Sequence, residues 1–287
     1  MKYSQENLIK QAEIITQALP YFSRYAGKTV VIKYGGNAMN DPSILRTILQ
    51  DVAALKIVGV HPILVHGGGP EINAQLDKLN IKSEFKNGLR VTSSDAMGVV
   101  QMSLAGKLNK DIAATLNTYG VKAVGLCGKD ANLIVAEALD LKTYGCVGKI
   151  TKINADVLHA LKNDFVPVIA SIGAGANGES YNINADLAAG FIGGALNAEK
   201  LLFLTDADGI YADPKDKNSL IKQITVSKIN AMIKQGTICG GMLPKVDACI
   251  NAINSGIAEV LITNGTVPHA ILLELFTDEG IGTLISK

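Results

Sequence analysis

The sequence predicts an α/β fold built on an open, mainly parallel sheet with helices on both faces. Three observations predict it. Short, continuous, β-rich apolar runs alternate with longer stretches of helical period along the chain. The runs lack the in–out alternation of a half-solvated strand, as expected where both faces are covered. Hydrophobic residues make up 48% of the 287-residue chain and charged residues 18%, enough apolar surface for a sizeable core.

Taken in order, residues 1–25 come first. Leu8, Ala12, Ile15, Leu19 and Phe22 form a narrow helical stripe, like a pairing seam. It reads either as a helix resting on its own domain or as an oligomerisation arm. Strands are expected at Thr29–Tyr34, Pro62–His66, Lys122–Leu126, Val166–Ala170, Leu201–Thr205 and Glu259–Thr263. Helices are expected near 42–59, 69–80, 94–119, 154–163, 184–196, 225–236 and 243–255. Residues 131–150 break this rhythm with short alternating segments and read as a small β-excursion. No repeat and no Pro/Gly/Ser linker is visible, so any two lobes share one sheet or a close interface.

The net charge is +1, and no basic run occurs, which argues against nucleic acid or an anionic membrane as partner. A small-molecule partner fits better. Four cysteines (Cys127, Cys146, Cys239, Cys249) show neither C-x-x-C pairing nor zinc spacing, as for free thiols in a reducing cytoplasm. The N-terminus lacks a signal-peptide apolar block, and no apolar run reaches the roughly 20 residues that span a bilayer. A cytoplasmic location is expected.

Three glycine-rich turns follow strands: Gly35-Gly36, Gly67-Gly68-Gly69 and Gly173-Ala174-Gly175. A strand, a bare backbone turn and a helix together present N–H groups to an anion, at the strand ends where open sheets bind ligands. Lys33 ends the first strand; it either snorkels to solvent or cradles a transferring phosphoryl group. Lys245 enters a helix after Gly240-Gly241, where the helix dipole disfavours a cation unless an anion is near. Asn182, Asn184 and Asp186 offer more polar groups than a helix cap needs, and Asp186 could orient lysines across the site. Arg90 follows a glycine turn and suits either carboxylate capture or a surface salt bridge. Gly173–Gly178 fits G-x-G-x-x-G, but no helix opens inside it, so a nicotinamide site is rejected. No P-loop and no hydrolase elbow is present.

VIKYGGNAM (31–39), LVHGGGPEI (64–72), NGLRVT (87–92), SIGAGANGESYNINAD (171–186) and GGMLPKVDA (240–248) resemble, in order, the motifs of the amino-acid kinase family. The resemblance covers essentially the whole chain and is to the branch that phosphorylates N-acetylglutamate with ATP. It implies a three-layer αβα sandwich with two lobes: 26–197 for the acetylamino acid and 198–287 for ATP, after an oligomerisation arm at 1–25. It implies that Lys33 and Lys245 neutralise the phosphoryl group and that Asp186 organises both. Backbone N–H groups of Gly36 and Gly68 would contact phosphoryl oxygens, beside Gly35. Gly67, Arg90 and Asn182 would hold the substrate. Thr205, Asp206, Gly209 and Tyr211 would line the nucleotide site. Mg²⁺ would be carried on the phosphates, with no protein side chain as ligand. The arm and residues 269–285 resemble a hexameric, arginine-inhibited branch, with Glu274 and Gly280 at its arginine site and a dimer as the other assembly. Leu261 stands where that branch usually has histidine, which puts the inhibition in question. Competing readings are a kinase for aspartate or N-acetylaminoadipate, and a non-catalytic sensor; keeping Lys33, Asp186 and Lys245 together argues against the sensor.

Overall fold

The computed structural model describes residues 4–36, 39 and 41–287. Met1–Tyr3 of the arm and Asn37, Ala38 and Asn40 by the first glycine turn lie outside the described residues. Helix α1 spans Gln5–Tyr25, with Ser4 as its N-cap. Strand β1 (Thr29–Tyr34), helix α2 (Pro42–Ile57), strand β2 (His61–His66) and helix α3 (Gly69–Lys78) follow. A hairpin of β3 (Glu84–Lys86) and β4 (Leu89–Val91) comes next, then α4 (Ser94–Gln101), a π-helical segment (Met102–Leu108) and α5 (Asn109–Asn117). Strands β5 (Ala123–Cys127) and β6 (Ile134–Ala138), helix α6 (Leu141–Tyr144), strand β7 (Gly148–Ile153), helix α7 (Asp156–Leu161) and strand β8 (Val166–Ala170) continue the chain. Then come β9 (Ile172–Ala174), β10 (Ser180–Asn182), α8 (Ala185–Ala195), β11 (Lys200–Thr205), β12 (Gln223–Thr225) and α9 (Val226–Lys234). The last elements are α10 (Met242–Asn254), β13 (Glu259–Asn264), α11 (Ala270–Leu275) and β14 (Thr283–Ser286).

Eight strands form the main sheet in the order β12-β14-β13-β11-β1-β2-β8-β5. All neighbours run parallel except β13 and β14. The α/β fold expected from the sequence is therefore present. The 131–150 excursion belongs to a four-stranded sheet, β10-β9-β6-β7, which also takes in residues 172–182. Two differences concern elements. The helix expected over 94–119 is interrupted by the π-helical segment, and β12 and β14 extend the sheet beyond the six expected strands.

Strand alternation decides which side chains meet which helices. On one face Val31, Ile63 and Val65 pack with Ala188 and Ile192 of α8 and Val246 and Ala252 of α10. On the other, Val30, Ile32, Tyr34 and Leu64 pack with Leu49 and Val52 of α2 and Ile112 of α5. Lys33 shares the parity of Val31 and so emerges on the α8–α10 side. His66 shares the parity of Leu64 and lies on the α2–α5 side. Both sit at the carboxyl ends of their strands, where the glycine turns begin.

Candidate active site

A cavity of about 400 Å³ opens at the ends of β1 and β11. Its lining joins Lys33, Gly35 and Gly36 with Asp186, Thr205, Asp206, Gly241 and Lys245. Lys33 Nζ lies 2.8 Å from Asp186 Oδ1, and the lysine side chain is only 12% exposed. Asp186 stands in the first turn of α8, capped by Asn184, whose side chain accepts from the N–H groups of Asp186 (2.9 Å) and Leu187 (3.1 Å). A carboxylate there gains from the helix dipole, which steadies the ion pair. Lys245 Nζ lies 2.6 Å from Asp206 Oδ1.

This corrects one expectation. Asp186 holds Lys33, while Lys245 is held by Asp206 rather than by Asp186. The reason is geometric: Lys245 rises from the first turns of α10 at the end of β11, where Asp206 follows Thr205. Glycine at 35 is explained by closeness, since a Cβ there would sit 3.1 Å from Lys33 Nζ. Gly36 has φ +72, a left-handed conformation that suits glycine.

The expected substrate residues form a second, adjoining group. Arg90 is buried in β4. Its guanidinium donates to Ser83 Oγ and to the Gly69 carbonyl (3.4 Å), and it stacks over the Phe85 ring with its carbon 4.6 Å from the ring centre. All three partners are uncharged, so the salt-bridge alternative is not what the structure shows. Burial lowers the Arg90 pKa from its ordinary value, an environment that favours an incoming anion. Asn182 Nδ2 donates to Thr92 Oγ1 (3.1 Å), whose hydroxyl donates to the Arg90 carbonyl (2.9 Å). Gly67 N–H donates to the Tyr34 carbonyl (3.2 Å), tying the second glycine turn to the first strand.

Gly209 and Tyr211 do not line the lysine cavity. They border a smaller one of about 110 Å³ with Pro214, Thr237, Cys239 and Met242. There Asp208 accepts from Tyr211 Oη (2.6 Å) and Asn264 Nδ2 (2.8 Å), and these bonds hold its carboxyl below the usual range. Glu274, Gly280 and Leu261 meet in a further cavity of about 390 Å³, together with Tyr21 and Arg24 of α1. Sequence reasoning missed Asp206 as the partner of Lys245, and Ser83, Phe85 and Thr92 as supports of Arg90 and Asn182. The signal for Arg90 lay in its own hairpin, since β3 and β4 pair Phe85 directly with Arg90.

Both carboxylates in the lysine cavity are engaged by ammonium groups. That donor set suits a metal ion arriving on nucleotide phosphates better than one held by the protein.

The sequence model of the amino acid kinase family matches residues 28–264. Acetylglutamate kinase of Heliobacterium modesticaldum is 48% identical over 291 residues, spanning 97% of this chain and 99% of that protein. The chain belongs to the amino acid kinase family. A second member, acetylglutamate kinase of Caldicellulosiruptor saccharolyticus, is 49% identical over 295 residues and covers 99% of both chains. Among solved structures, N-acetylglutamate synthase from Neisseria gonorrhoeae, complexed with coenzyme A and N-acetyl-glutamate, superposes with a TM-score of 0.83 at 24% identity. That match covers 96% of this chain and 63% of the synthase. Carbamate kinase from Giardia lamblia bound to AMP-PNP gives a TM-score of 0.66 at 20% identity, covering 91% and 98% of the two chains. Likeness at those identities establishes the family fold alone. The acetylglutamate kinase relatives make the chain a kinase, and the kinase family implies the use of ATP. No helix among the described residues is long and apolar enough to cross a membrane.

Proposed function

We propose that the chain transfers the γ-phosphoryl group of ATP to the γ-carboxylate of N-acetyl-L-glutamate, giving N-acetylglutamyl phosphate and ADP, the second step of arginine biosynthesis. The relatives named acetylglutamate kinase support the acceptor, at 45–49% identity along nearly the whole chain. The single observation that carries the reading is the shared cavity of Lys33 and Lys245, two ammonium groups from opposite ends of the sequence.

The chemistry needs that arrangement. The acceptor carboxylate is already ionised at neutral pH, since a glutamate side chain has a pKa of about 4.3, so no general base is required. The obstacle is bringing one anion onto another. Two unit charges 4 Å apart repel by about 4 kcal/mol at an effective dielectric of 20. A carboxylate oxygen forms a bond to the γ-phosphorus as the bond to the ADP oxygen breaks, and ADP departs with the electron pair. Lys33 and Lys245 neutralise the charge in flight, with Asp186 and Asp206 fixing their positions. Gly36 and Gly68 offer N–H groups to the phosphoryl oxygens, and Gly35 gives Lys33 room. Gly67, Arg90 and Asn182 hold the acetylglutamate, with Arg90 on a carboxylate. Thr205, Asp206, Gly209 and Tyr211 serve the nucleotide. Mg²⁺ on the phosphates supplies further neutralisation. Catalysis is then positioning plus electrostatics.

On this reading residues 26–197 bind the acetylamino acid and 198–287 the nucleotide. Assembly runs through residues 1–25, in a hexamer of dimers or in a dimer; exposed Leu8, Ile15 and Leu19 support that role. The Glu274–Gly280 cavity would receive arginine, with Leu261 in its wall. The cytoplasm suits a reaction that consumes ATP and a chain whose four cysteines are free.

The test is trapping of the acyl phosphate with hydroxylamine, using ATP, Mg²⁺ and separate acids. N-acetylglutamate should give hydroxamate, and glutamate, aspartate and N-acetylaminoadipate little. No hydroxamate from N-acetylglutamate would refute the assignment.

A further inference from the structure

We propose that His66 and Asn109 form a buried positioning pair that sets the Gly67–Gly68 peptide and turns the Gly68 N–H toward the reacting phosphoryl group. The proposal rests on the phosphoryl-transfer reading above. His66 is fully enclosed at 0% exposure, on the face of the sheet opposite Lys33. Its Nδ1 lies 2.8 Å from the Gly67 carbonyl oxygen, and its Nε2 lies 3.0 Å from Asn109 Nδ2. Asn109, also at 0% exposure, opens α5.

The tautomer follows from the neighbours. Asn109 Nδ2 also lies 2.9 Å from the Val168 carbonyl and 3.2 Å from the Leu126 carbonyl. Carbonyls only accept, so the amide nitrogen faces them, and Asn109 Oδ1 is left to accept from Lys110 Nζ at 3.1 Å. The two N–H groups are shared among these three partners, and because an amide nitrogen does not accept, it can meet His66 only as a donor. Nε2 must accept, the ring proton sits on Nδ1, and Nδ1–H donates to the Gly67 carbonyl. Burial above all, with the Lys110 ammonium nearby, lowers the imidazole pKa to about 4, so the ring is neutral at physiological pH.

What the bond does follows from peptide geometry. No peptide bond among the described residues is cis. In a trans peptide the C=O and the next N–H point in opposite directions. Holding the Gly67 carbonyl toward the imidazole turns the Gly68 N–H away from it, to the side that carries Lys33. Space for the pair is built into the neighbouring elements. A Cβ on Gly125 of β5 would sit 2.1 Å from Asn109 Oδ1. A Cβ on Gly68 would sit 2.4 Å from Leu104 Cδ2, in the π-helical segment that leads into Asn109. That segment therefore packs directly on the turn that the pair orients.

Two isosteres separate positioning from packing. Asparagine at 66 keeps an amide N–H near the Nδ1 position; glutamine keeps an acceptor near Nε2 but offers no donor to Gly67. With N-acetylglutamate and Mg·ATP, His66→Gln should lower kcat by about 100-fold, the scale of a lost preorganised donor. Both KM values should stay within about 3-fold, because the interaction belongs to the transition state. His66→Asn should recover most of the loss. Equal kcat in the two variants would overturn the proposal. If a variant does not fold, the unmodified chain decides: ¹⁵N NMR of the imidazole should show the Nδ1–H form from about pH 8 to about pH 5. An Nε2–H form overturns the proposal. The spectrum does not depend on turnover. A chain that makes no acyl phosphate but shows the Nδ1–H form therefore sinks the kinase reading alone.

Discussion

Lys33 reaches the cleft because strand parity gives it to the face of α8 and α10, where Asp186 waits 2.8 Å away. The residue types were legible in the sequence: a lysine ending a buried strand beside two glycines, and a second lysine after Gly240-Gly241. The pairing of Lys245 was not. Asp206 lies 39 residues away in sequence, and only the packing of the start of α10 at the end of β11 brings the two groups into one cavity. Phe85 and Ser83 were equally hidden, since a hairpin partner is set by register. Lys33→Ala and Lys245→Ala should each lower kcat by about 100- to 1,000-fold, the range for removing one preorganised charge-stabilising group. KM should change far less. Steady-state kinetics checks this, and near-normal kcat in both variants removes the assigned roles.

At the scale of elements, six strands and the βα rhythm were readable because each strand is a short, largely apolar run, and all but the half-buried β5 are mostly enclosed. The π-helical turn at Met102–Leu108 was not, because its residues carry the same apolar period as the α-helical segments around it. Its consequence is a tight fit of Leu104 and Leu108 over Gly68. Gly68→Ala should destabilise the fold by about 1–3 kcal/mol, the usual cost of overpacking. Pairing it with Leu104→Ala should return part of that loss, as read by urea denaturation. Helix α1 makes the opposite point. Its stripe was legible, yet most of it stays exposed, with Leu8 at 52% and Ile15 at 62%, and only its last turns pack, Phe22 edge-on against Phe276 at 4.9 Å. Removing residues 1–24 should lower the mass of the assembly in solution; an unchanged mass would exclude the arm as its interface.

At the scale of the whole molecule, stability should depend on pH through the buried imidazole. The folded-state pKa of His66 is depressed from 6.5 to about 4, so its contribution is complete above 6.5 and is lost as pH falls toward 4. Across that window the unfolded chain takes up a proton that the native state refuses, worth about 3 kcal/mol in total. Burial lowers His61 in the same direction. Urea midpoints measured between about pH 7 and about pH 5 should fall, and His66→Asn should flatten much of that fall, leaving the share of His61 and of depressed carboxylates such as Glu71. The sheet's last strands were the least legible feature at this scale. β14 is a four-residue segment that lies between β12 and β13 and runs antiparallel to β13, and nothing in TLIS marks that reversal.

The strand order also has a bearing on synthesis. β1 finds β2 soon after it leaves the ribosome, but its other neighbour, β11, begins only at Lys200. Through most of translation one hydrogen-bonding edge of Val30–Lys33 is therefore open, and an open apolar edge invites pairing with other nascent chains. The strand that carries Lys33 is thus also a place where an unfinished polypeptide needs chaperone cover.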